Sequence, residues 1–344
     1  MAIKWFIFIG LFAITNLKVQ AIELVLPTEN NHLFSGQLDR FYMYVDRTFE
    51  GAVTKPWEGG SFGFVRTPIR VNGDVVLTKF HEGIDIAPIK RDKAGNPLDL
   101  VMSISGGKVV HASQIAGQSN YGKYVVVEHD WEQSKVYSLY AHLAEITAQV
   151  GDVVRAGSVL GRMGYTGSGI NQIRAHLHLE LGVLMSLRFE DWHKQNFATP
   201  NHHGIFNGIN LAGVDVASFF LAHRENPNLT FSEFVLSRQV QFKALVPAEK
   251  TEPEFLVRHP WMKRQSDVVL KSWEIGFTST GHVVSFTPSS KEVNQATVSH
   301  IRPAEINQTY LTRGLISGNG NEVALTRDGS RLVSLILDDF PASK

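Results

Sequence analysis

Short apolar runs separated by glycines and polar turns dominate the chain between about residues 59 and 187. Runs rich in β-branched and aromatic residues are typical of β-strands, and clear examples are residues 107–112, 122–128 and 136–140. Polar stretches at 117–122 and 129–134 stand where hairpin loops are expected. The pattern therefore predicts an antiparallel sheet folded over itself.

The pattern changes after this β-rich region. Residues 188–210 are polar and lack periodicity, which predicts a linker. Beyond it, residues 216–223 and 232–245 have the spacing of helices, and Thr230 is a suitable N-cap for the second. These helices begin a C-terminal region, residues 211–344, whose role the sequence does not indicate.

Strand signals return from Val268 onward. The apolar runs at 322–325 and 332–337 stand on either side of Arg-Asp-Gly-Ser at 327–330, a sequence typical of a tight turn, so a terminal hairpin is predicted. The C-terminal region is therefore predicted to mix helices and strands, whereas the preceding region is mainly β.

The amino terminus has the features of a signal peptide. Lys4 precedes an apolar run, residues 5–17, that is too short for a comfortable membrane span. Val19 and Ala21 occupy the two positions that a signal peptidase inspects, so we expect cleavage after Ala21, with a retained anchor as the alternative. Residues 22–58 then form an N-terminal segment. The mature chain is predicted to be periplasmic or secreted, with no transmembrane segment.

Composition narrows the chemistry that is open to the chain. Its 344 residues carry 33 basic and 33 acidic side chains, so the basic footprint of a nucleic-acid-binding protein is missing and no nucleic acid partner is expected. Cysteine is absent, which excludes disulfides, thiolate–zinc sites and a thiol nucleophile. Any metal site must therefore use nitrogen and oxygen ligands.

Residues 80–88 place an imidazole and a carboxylate four positions apart. If this segment is one strand, His81, Gly83 and Asp85 share a face, because side chains alternate along a strand. Gly83 would leave open space between the two ligands. A helix is less favoured because Gly83 and the two isoleucines are poor helix formers.

Residues 175–181 alternate more clearly, with histidine, histidine and glutamate on one face and three leucines on the other. Leucines anchored in the core would hold both imidazoles rigidly, which a metal site requires. Two histidines and one aspartate supply three ligands and leave a fourth tetrahedral position for water, the arrangement of catalytic zinc.

Three motifs in this order resemble the M23 family of zinc peptidases, also called lysostaphin-type or LytM-domain peptidases. The family's His-x-x-x-Asp is present at His81 and Asp85, its Tyr-Ala-His-Leu at residues 140–143 and its His-x-His at residues 176–178. A glycine-rich stretch at 150–164 also resembles the one before the family's last motif.

The resemblance implies an antiparallel β-sandwich or barrel-like peptidase domain over residues 59–187 that binds Zn²⁺. Carried over residue by residue, it makes His81, Asp85 and His178 the zinc ligands and His142 and His176 the catalytic histidines. It implies a zinc metalloendopeptidase whose substrate is the peptide cross-link or stem of bacterial peptidoglycan. Which catalytic histidine takes the proton stays open.

The sequence departs from the family pattern in two loops. A longer, charged segment at residues 89–99 replaces a short turn after the first motif. Residues 167–175 replace the usual Ser-Thr-Gly-Pro before the last motif. Both loops are expected to flank the groove, so the resemblance leaves the preferred substrate open.

Other functions are weaker alternatives. A non-catalytic LytM-like module, which binds cell wall or activates an amidase, usually lacks metal ligands, whereas every expected position is filled here. Residues 150–161 resemble the hairpin of biotinyl or lipoyl carriers, but no lysine stands at the tight turn. Further, weaker site candidates are Glu82 and Glu180 as general bases and His202 and His203 as ligands.

Overall fold

The computed structural model describes residues 21–320 and 322–342. Their strands are β1 (Arg47–Phe49), β2 (Ala52–Thr54), β3 (Gly63–Val71), β4 (Asp74–His81), β5 (Ile84–Ile86), β6 (Leu100–Met102), β7 (Gly107–Ser113), β8 (Tyr124–Trp131), β9 (Ser134–Ala141), β10 (Leu143–Ile146), β11 (Val153–Val154), β12 (Val159–Met163), β13 (Leu177–Leu184), β14 (Leu211–Gly213), β15 (Phe242–Pro247), β16 (Ser272–Phe277), β17 (Val283–Ser289), β18 (Thr297–Ile301), β19 (Ile316–Asn319) and β20 (Glu322–Leu325).

The α-helices in the same residues are fewer and mostly short. They are α1 (Leu38–Phe41), α2 (Phe189–Asn196), α3 (Val216–Glu225), α4 (Phe231–Leu236), α5 (Glu254–Arg258), α6 (Gln308–Leu311) and α7 (Arg327–Leu337). None of these described helices combines the length and the apolar character needed to cross a bilayer. The predicted signal peptide lies outside the described residues, apart from Ala21.

A seven-stranded antiparallel sheet forms the centre of the fold. Its order is β11-β7-β8-β9-β13-β14, and β5 pairs with the first part of β13. The predicted strands at 107–112, 122–128 and 136–140 correspond to β7, β8 and β9. β13 is buried along its whole length, because β9 lies on one side of it and β5 and β14 lie on the other.

A three-stranded sheet, β10-β12-β6, shares the apolar core of the central sheet. Val101 of β6 and Leu160 of β12 belong to the same buried cluster as Val125 of β8. The prediction of a mainly β fold built from antiparallel sheets is confirmed.

The C-terminal region adds a four-stranded antiparallel sheet, β17-β16-β15-β18, the hairpin β19-β20 and five helices. It packs against the central sheet: the Trp131 ring of β8 lies 6.1 Å from Phe219 of α3 and 5.8 Å from Phe231 of α4, measured between centroids. The prediction of mixed helices and strands here is confirmed.

The helix predicted over 232–245 is wrong in its second half. Thr230 does cap α4, since its hydroxyl accepts a hydrogen bond from the Glu233 amide while the Glu233 carboxylate accepts one from the Thr230 amide. The helix ends at Leu236, however, and Phe242 begins β15. β15 pairs with β16 and β18, and this pairing buries the apolar residues that local pattern alone assigned to a helix.

The hairpin predicted at 327–330 is also wrong. β20 pairs with β19, which precedes it, and the residues after β20 form helix α7. Thr326 caps this helix by accepting a hydrogen bond from the Gly329 amide. Val333 and Ile336 are buried, which fits helical rather than alternating spacing.

Residues 188–210, predicted as a linker, contain helix α2. Trp192 of α2 is buried, and its indole N–H donates to the Arg331 carbonyl of α7. The Arg188 guanidinium lies over the Phe340 ring, 4.7 Å from its centroid. This segment is therefore packed against the end of the chain, and the proposed division into domains stays a prediction.

His282 links the C-terminal region to the central sheet. Its Nδ1 donates to the Ala212 carbonyl of β14 at 3.0 Å, and the ring is buried. Burial lowers the pKa of His282 to about 4, although the hydrogen bond to Ala212 opposes the shift. As the pH falls, the His282 imidazole takes up a proton near pH ~6.5 in the unfolded chain but only near pH ~4 in the folded chain. The contribution of His282 to the free energy of unfolding is therefore highest above pH ~6.5 and falls as the pH is lowered toward ~4.

We expect His282→Asn, which keeps an N–H donor near Ala212, to lessen this decline in unfolding free energy by up to about 1.4 kcal/mol per pH unit. Urea denaturation of the full chain at several pH values between about 4.5 and 7 measures the slope. His300→Asn is the matched control, because His300 is exposed on β18. Equal slopes for His282→Asn and the unsubstituted chain would contradict the expectation.

Candidate metal centre

Three strands bring the sequence motifs together. β5 and β13 are antiparallel neighbours, and their register sets Asp85 opposite His178. His81 is the last residue of β4 and pairs with Gly63 of β3. A two-residue bend separates β4 from β5, so the prediction of one continuous strand through His81 and Asp85 is wrong.

Gly83 lies in this bend and touches the backbone of β13. A Cβ atom at this position would come within 2.5 Å of the Leu179 carbonyl oxygen and 3.0 Å of His178 Cε1. The open space expected beside Gly83 is therefore filled by the neighbouring strand. Only glycine allows this close approach, which places His81 beside the pair formed by Asp85 and His178.

Three ligand atoms converge on one point. His81 Nε2 lies 3.2 Å from His178 Nδ1 and 3.1 Å from Asp85 Oδ1. His178 Nδ1 lies 3.0 Å from the same Asp85 oxygen. The three residues are only 2%, 7% and 5% exposed, in chain order. Motifs that are far apart in sequence thus meet in one buried cluster, as predicted.

The geometry of this cluster fits a tetrahedral metal. In a zinc site with bonds of about 2.0–2.1 Å, neighbouring ligand atoms stand about 3.3 Å apart. The observed separations of 3.0 to 3.2 Å are close to that value. Two imidazole nitrogens and one carboxylate oxygen are also a donor set that zinc accepts. His81, Asp85 and His178 could therefore hold the ion.

Hydrogen bonds behind the cluster orient both imidazoles. His81 Nδ1 donates to the Ser61 carbonyl at 2.8 Å, which leaves Nε2 facing the cluster. His178 Nε2 contacts Glu180 Oε1 at 3.0 Å, and the Tyr121 hydroxyl donates to the same oxygen at 2.5 Å. Carboxylates in this position fix the tautomer of a metal-binding histidine. Glu180 thus lies behind His178, where it orients the ring.

Charges inside the cluster control its protonation. Burial acts to raise the pKa of Asp85, but His176 and His81 beside it outweigh burial and hold that pKa well below its usual range. Burial acts to lower the pKa of His178, but hydrogen bonds to Asp85 and Glu180 raise it to about 10. Metal binding must therefore displace a proton from His178.

His142 and His176 lie beside the three ligand atoms. Their rings form an edge-to-face pair with centroids 4.7 Å apart. His176 Nε2 is 3.3 Å from Asp85 Oδ1, and the His142 ring centroid is 5.8 Å from that of His178. His142 has a left-handed backbone, with φ of 63°, directly after β9. Such strain in a non-glycine residue is typical of functional sites.

Both rings are held by backbone carbonyls. His142 Nδ1 donates to the Thr166 carbonyl at 2.9 Å, and His176 Nδ1 donates to the Arg174 carbonyl at 2.6 Å. The Nε2 atoms are thereby left as acceptors in the neutral rings. Burial, together with the neighbouring His176 and His178, holds the pKa of His142 well below its usual range, so it stays neutral.

Sequence reasoning did not identify several polar neighbours of the cluster. Arg66 of β3 donates from Nη2 to Asp85 Oδ2 at 2.6 Å, and its Nε donates to the Gly59 carbonyl. Tyr121, which bonds Glu180, comes from the loop before β8. Neither residue stands in a motif, so no local signal in the sequence marks them.

The C-terminal region also reaches this part of the molecule. The Arg313 guanidinium lies over the Phe80 ring, 4.3 Å from its centroid. Its charge interacts with Glu82 and Glu180, and Glu180 Oε2 is buried without a hydrogen-bond partner among the described residues. Arg313 therefore compensates part of the negative charge behind the ligands.

The two loops that depart from the family pattern pack against each other. Arg91 Nη1 donates to the Gln172 carbonyl at 2.9 Å. The Gln172 amide donates in return to Asn96 Oδ1 at 2.7 Å, and the Tyr165 hydroxyl contacts the same oxygen. The longer loop at 89–99 thus supports the segment that leads into His176.

The other candidate ligands are not part of this cluster. Within residues 21–320 and 322–342, one further group could hold a metal, formed by Glu82, His178 and Glu180, and it shares His178 with the first. Its Glu180 oxygen already accepts the Tyr121 hydroxyl. His203 instead bonds the Tyr124 hydroxyl at 2.9 Å through Nδ1.

Comparisons with known proteins agree with these motifs. Residues 79–187 match the model of peptidase family M23. Lysostaphin of Staphylococcus staphylolyticus is 32% identical over 122 residues, which are 35% of this chain and 21% of that protein. The lipoprotein NlpD/LppB homolog of Pseudomonas aeruginosa is 33% identical over 101 residues, 29% of each chain. This chain thus spans less than a third of either relative.

One solved structure is the catalytic domain of the antimicrobial peptidase lysostaphin from Staphylococcus simulans, crystallized in the absence of phosphate. It is 25% identical, and the alignment covers 43% of this chain and 84% of that domain, with a TM-score of 0.25.

Proposed function

Because residues 79–187 match the model of peptidase family M23, we propose that this protein is an exported zinc metalloendopeptidase that hydrolyses peptide bonds in peptidoglycan cross-links or stem peptides. The family match supports the reaction class. The substrate class rests on the resemblance of the three motifs, and export rests on the signal-peptide features of residues 1–21.

One observation carries the proposal. His81 Nε2, Asp85 Oδ1 and His178 Nδ1 lie within 3.2 Å of one another, and two further histidines lie beside them. A structural zinc site is closed by four protein ligands, whereas a catalytic one keeps a position free. Three ligands with two additional polar rings therefore favour catalysis over a structural role.

The roles of the residues follow from their positions. Zinc, when bound, polarises a peptide carbonyl and lowers the pKa of water toward about 7. His81, Asp85 and His178 would hold the ion, and Glu180 and Ser61 keep the two imidazoles turned toward it. The ligands supply binding and orientation rather than proton transfer.

His142 and His176 act on the substrate. Their Nδ1 atoms donate to backbone carbonyls, so Nε2 is the nitrogen of each ring that is left to act on a substrate, and it is an acceptor when the ring is neutral. An imidazole in this state can orient a water molecule and accept its proton. Once protonated, the same nitrogen donates a hydrogen bond to developing negative charge or to the leaving amine.

Zinc analysis and digestion of peptidoglycan by the full secreted chain test the proposal together. We expect about one zinc per chain and the release of new amino groups from purified peptidoglycan, both removed by a chelator and restored by zinc. Binding of peptidoglycan without release of amines would instead indicate the non-catalytic LytM-like module.

A further inference from the structure

We propose that the peptide substrate carries a free carboxylate close to the scissile bond and that Arg174, assisted by Arg47 and Arg66, recognises it. This inference rests on the proposed peptidase function and defines its substrate class. The three arginines come from separate parts of the chain: Arg47 from β1, Arg66 from β3 and Arg174 from the loop before β13.

Arg174 is held beside the catalytic histidines by its own backbone. Its carbonyl accepts the hydrogen bond from His176 Nδ1 at 2.6 Å, and its amide N–H donates to Asn171 Oδ1. One guanidinium nitrogen, Nη1, donates to the Gly169 carbonyl at 2.7 Å. The Nε and Nη2 atoms have no hydrogen-bond partner among the described residues, so they are available to a ligand.

The positive charge around Arg174 is only partly offset by a protein carboxylate, that of Asp85. Arg66 pairs with Asp85, which also lies among the metal ligands. Arg47 is exposed, and neither Arg47 nor Arg174 forms an ion pair with any residue that the structure describes. Burial, followed by the positive charges of Arg47 and Arg66, lowers the pKa of Arg174, although the Asp85 carboxylate opposes the shift.

This local excess of charge contrasts with the chain as a whole. The full sequence carries equal numbers of basic and acidic residues, 33 of each. Three arginines whose charges act on one another beside Asp85, with Arg66 paired to that carboxylate, therefore form a specific feature rather than a general basic character. Guanidinium groups bind carboxylates through paired hydrogen bonds, and a peptide substrate supplies that anion from a side chain or from its C-terminus.

The two loops described above fix the position of Arg174. Arg91 donates to the Gln172 carbonyl, and Gln172 bonds residues of the loop at 89–99. The longer loop thus sets the path of the chain immediately before Arg174. Its departure from the family pattern is thereby connected to substrate preference.

The test compares three cross-linked muropeptide dimers as substrates of the full chain: one unmodified, one with its side-chain carboxyls amidated and one with its C-terminal carboxyls amidated. We expect kcat/KM for the unmodified dimer to exceed that for one of the amidated dimers by about tenfold, as a charge-assisted hydrogen bond requires. The amidated dimer that is cleaved slowly identifies the source of the carboxylate.

Arg174→Gln should bring this ratio close to one, and Arg174→Lys should restore part of it, because lysine keeps the charge but not the paired donors. Arg155→Gln is the matched control, since Arg155 is an exposed arginine in the turn after β11 without a side-chain partner among the described residues. It should leave the ratio unchanged. Arg47→Gln, at an exposed position, provides a second variant that should lower the ratio without affecting folding.

The outcomes separate this inference from the function on which it rests. Cleavage of all three dimers at equal rates by the unsubstituted chain would overturn the inference and leave the peptidase function standing. A preference that Arg174→Gln retains would also overturn it. Failure to cleave any dimer, with zinc bound, would overturn the peptidase function and this inference together.

Discussion

His178→Ala is expected to lower zinc affinity by at least about 100-fold and to remove detectable peptidase activity, since even residues behind a metal ligand are worth about 10- to 100-fold. His178 Nδ1 contacts both His81 Nε2 and Asp85 Oδ1, so its removal leaves only two of the three adjacent ligand atoms. Metal analysis after dialysis, alongside digestion of peptidoglycan, measures both effects.

His111→Ala is the control for this substitution. His111 lies on β7, outside both groups of residues that could hold a metal. Its variant should keep one zinc per chain and most of the activity. If His178→Ala still bound one zinc per chain, the ion would be held elsewhere, and the proposed centre would have to be abandoned.

His142→Ala and His176→Ala are expected to retain zinc, unlike His178→Ala, and to lower kcat by about 100- to 10,000-fold, the usual contribution of a general acid or base. Neither ring is needed to complete the three-ligand cluster. Zinc content and kcat on a muropeptide dimer, measured on the same preparations, distinguish these variants from His178→Ala.

The His176 variant is the stricter of the two tests. His176 Nε2 lies only 3.3 Å from Asp85 Oδ1, nearly as close as the two ligand histidines. If His176→Ala lost zinc as fully as His178→Ala, His176 would be a fourth ligand. The centre would then be closed, which is the arrangement of a structural site.

The convergence of His81, Asp85 and His178 could be predicted because these residues lie in short motifs on strands. In residues 175–181, leucines that need a core alternate with polar residues, and this pattern defines both the strand and the side on which the histidines lie. The family resemblance then selects His178 over His176. The single strand expected through His81 and Asp85 fails, because alternation cannot reveal a bend at Gly83.

Residues that act on the cluster from a distance could not be predicted. Arg66 reaches Asp85 only because the β3-β4 hairpin folds back, and Arg313 reaches Phe80 from the C-terminal region. Such contacts depend on tertiary packing, for which one sequence contains no local signal. The same reason applies to β15, whose pairing with two strands overrides its apparent helical pattern.

The terminal hairpin fails for a different physical reason. Asp-Gly favours a tight turn, but Thr326 caps a helix at the same place and Gly329 lies within its first turn. A Cβ atom on Gly329 would come within 1.9 Å of the Leu315 carbonyl oxygen. Gly329 is therefore required for close packing of α7 against Leu315, whereas the Asp-Gly pair had predicted a turn between two strands.

The position of Arg313 has a consequence for how this protein can be divided. A fragment that ends before this residue would keep every motif of the family and yet leave the carboxylates of Glu82 and Glu180 without the positive charge of its guanidinium. Such a fragment would hold His178 in a more negative field than the whole protein does. Truncation at the family boundary would thus change the chemistry of the ion site, although no ligand is removed.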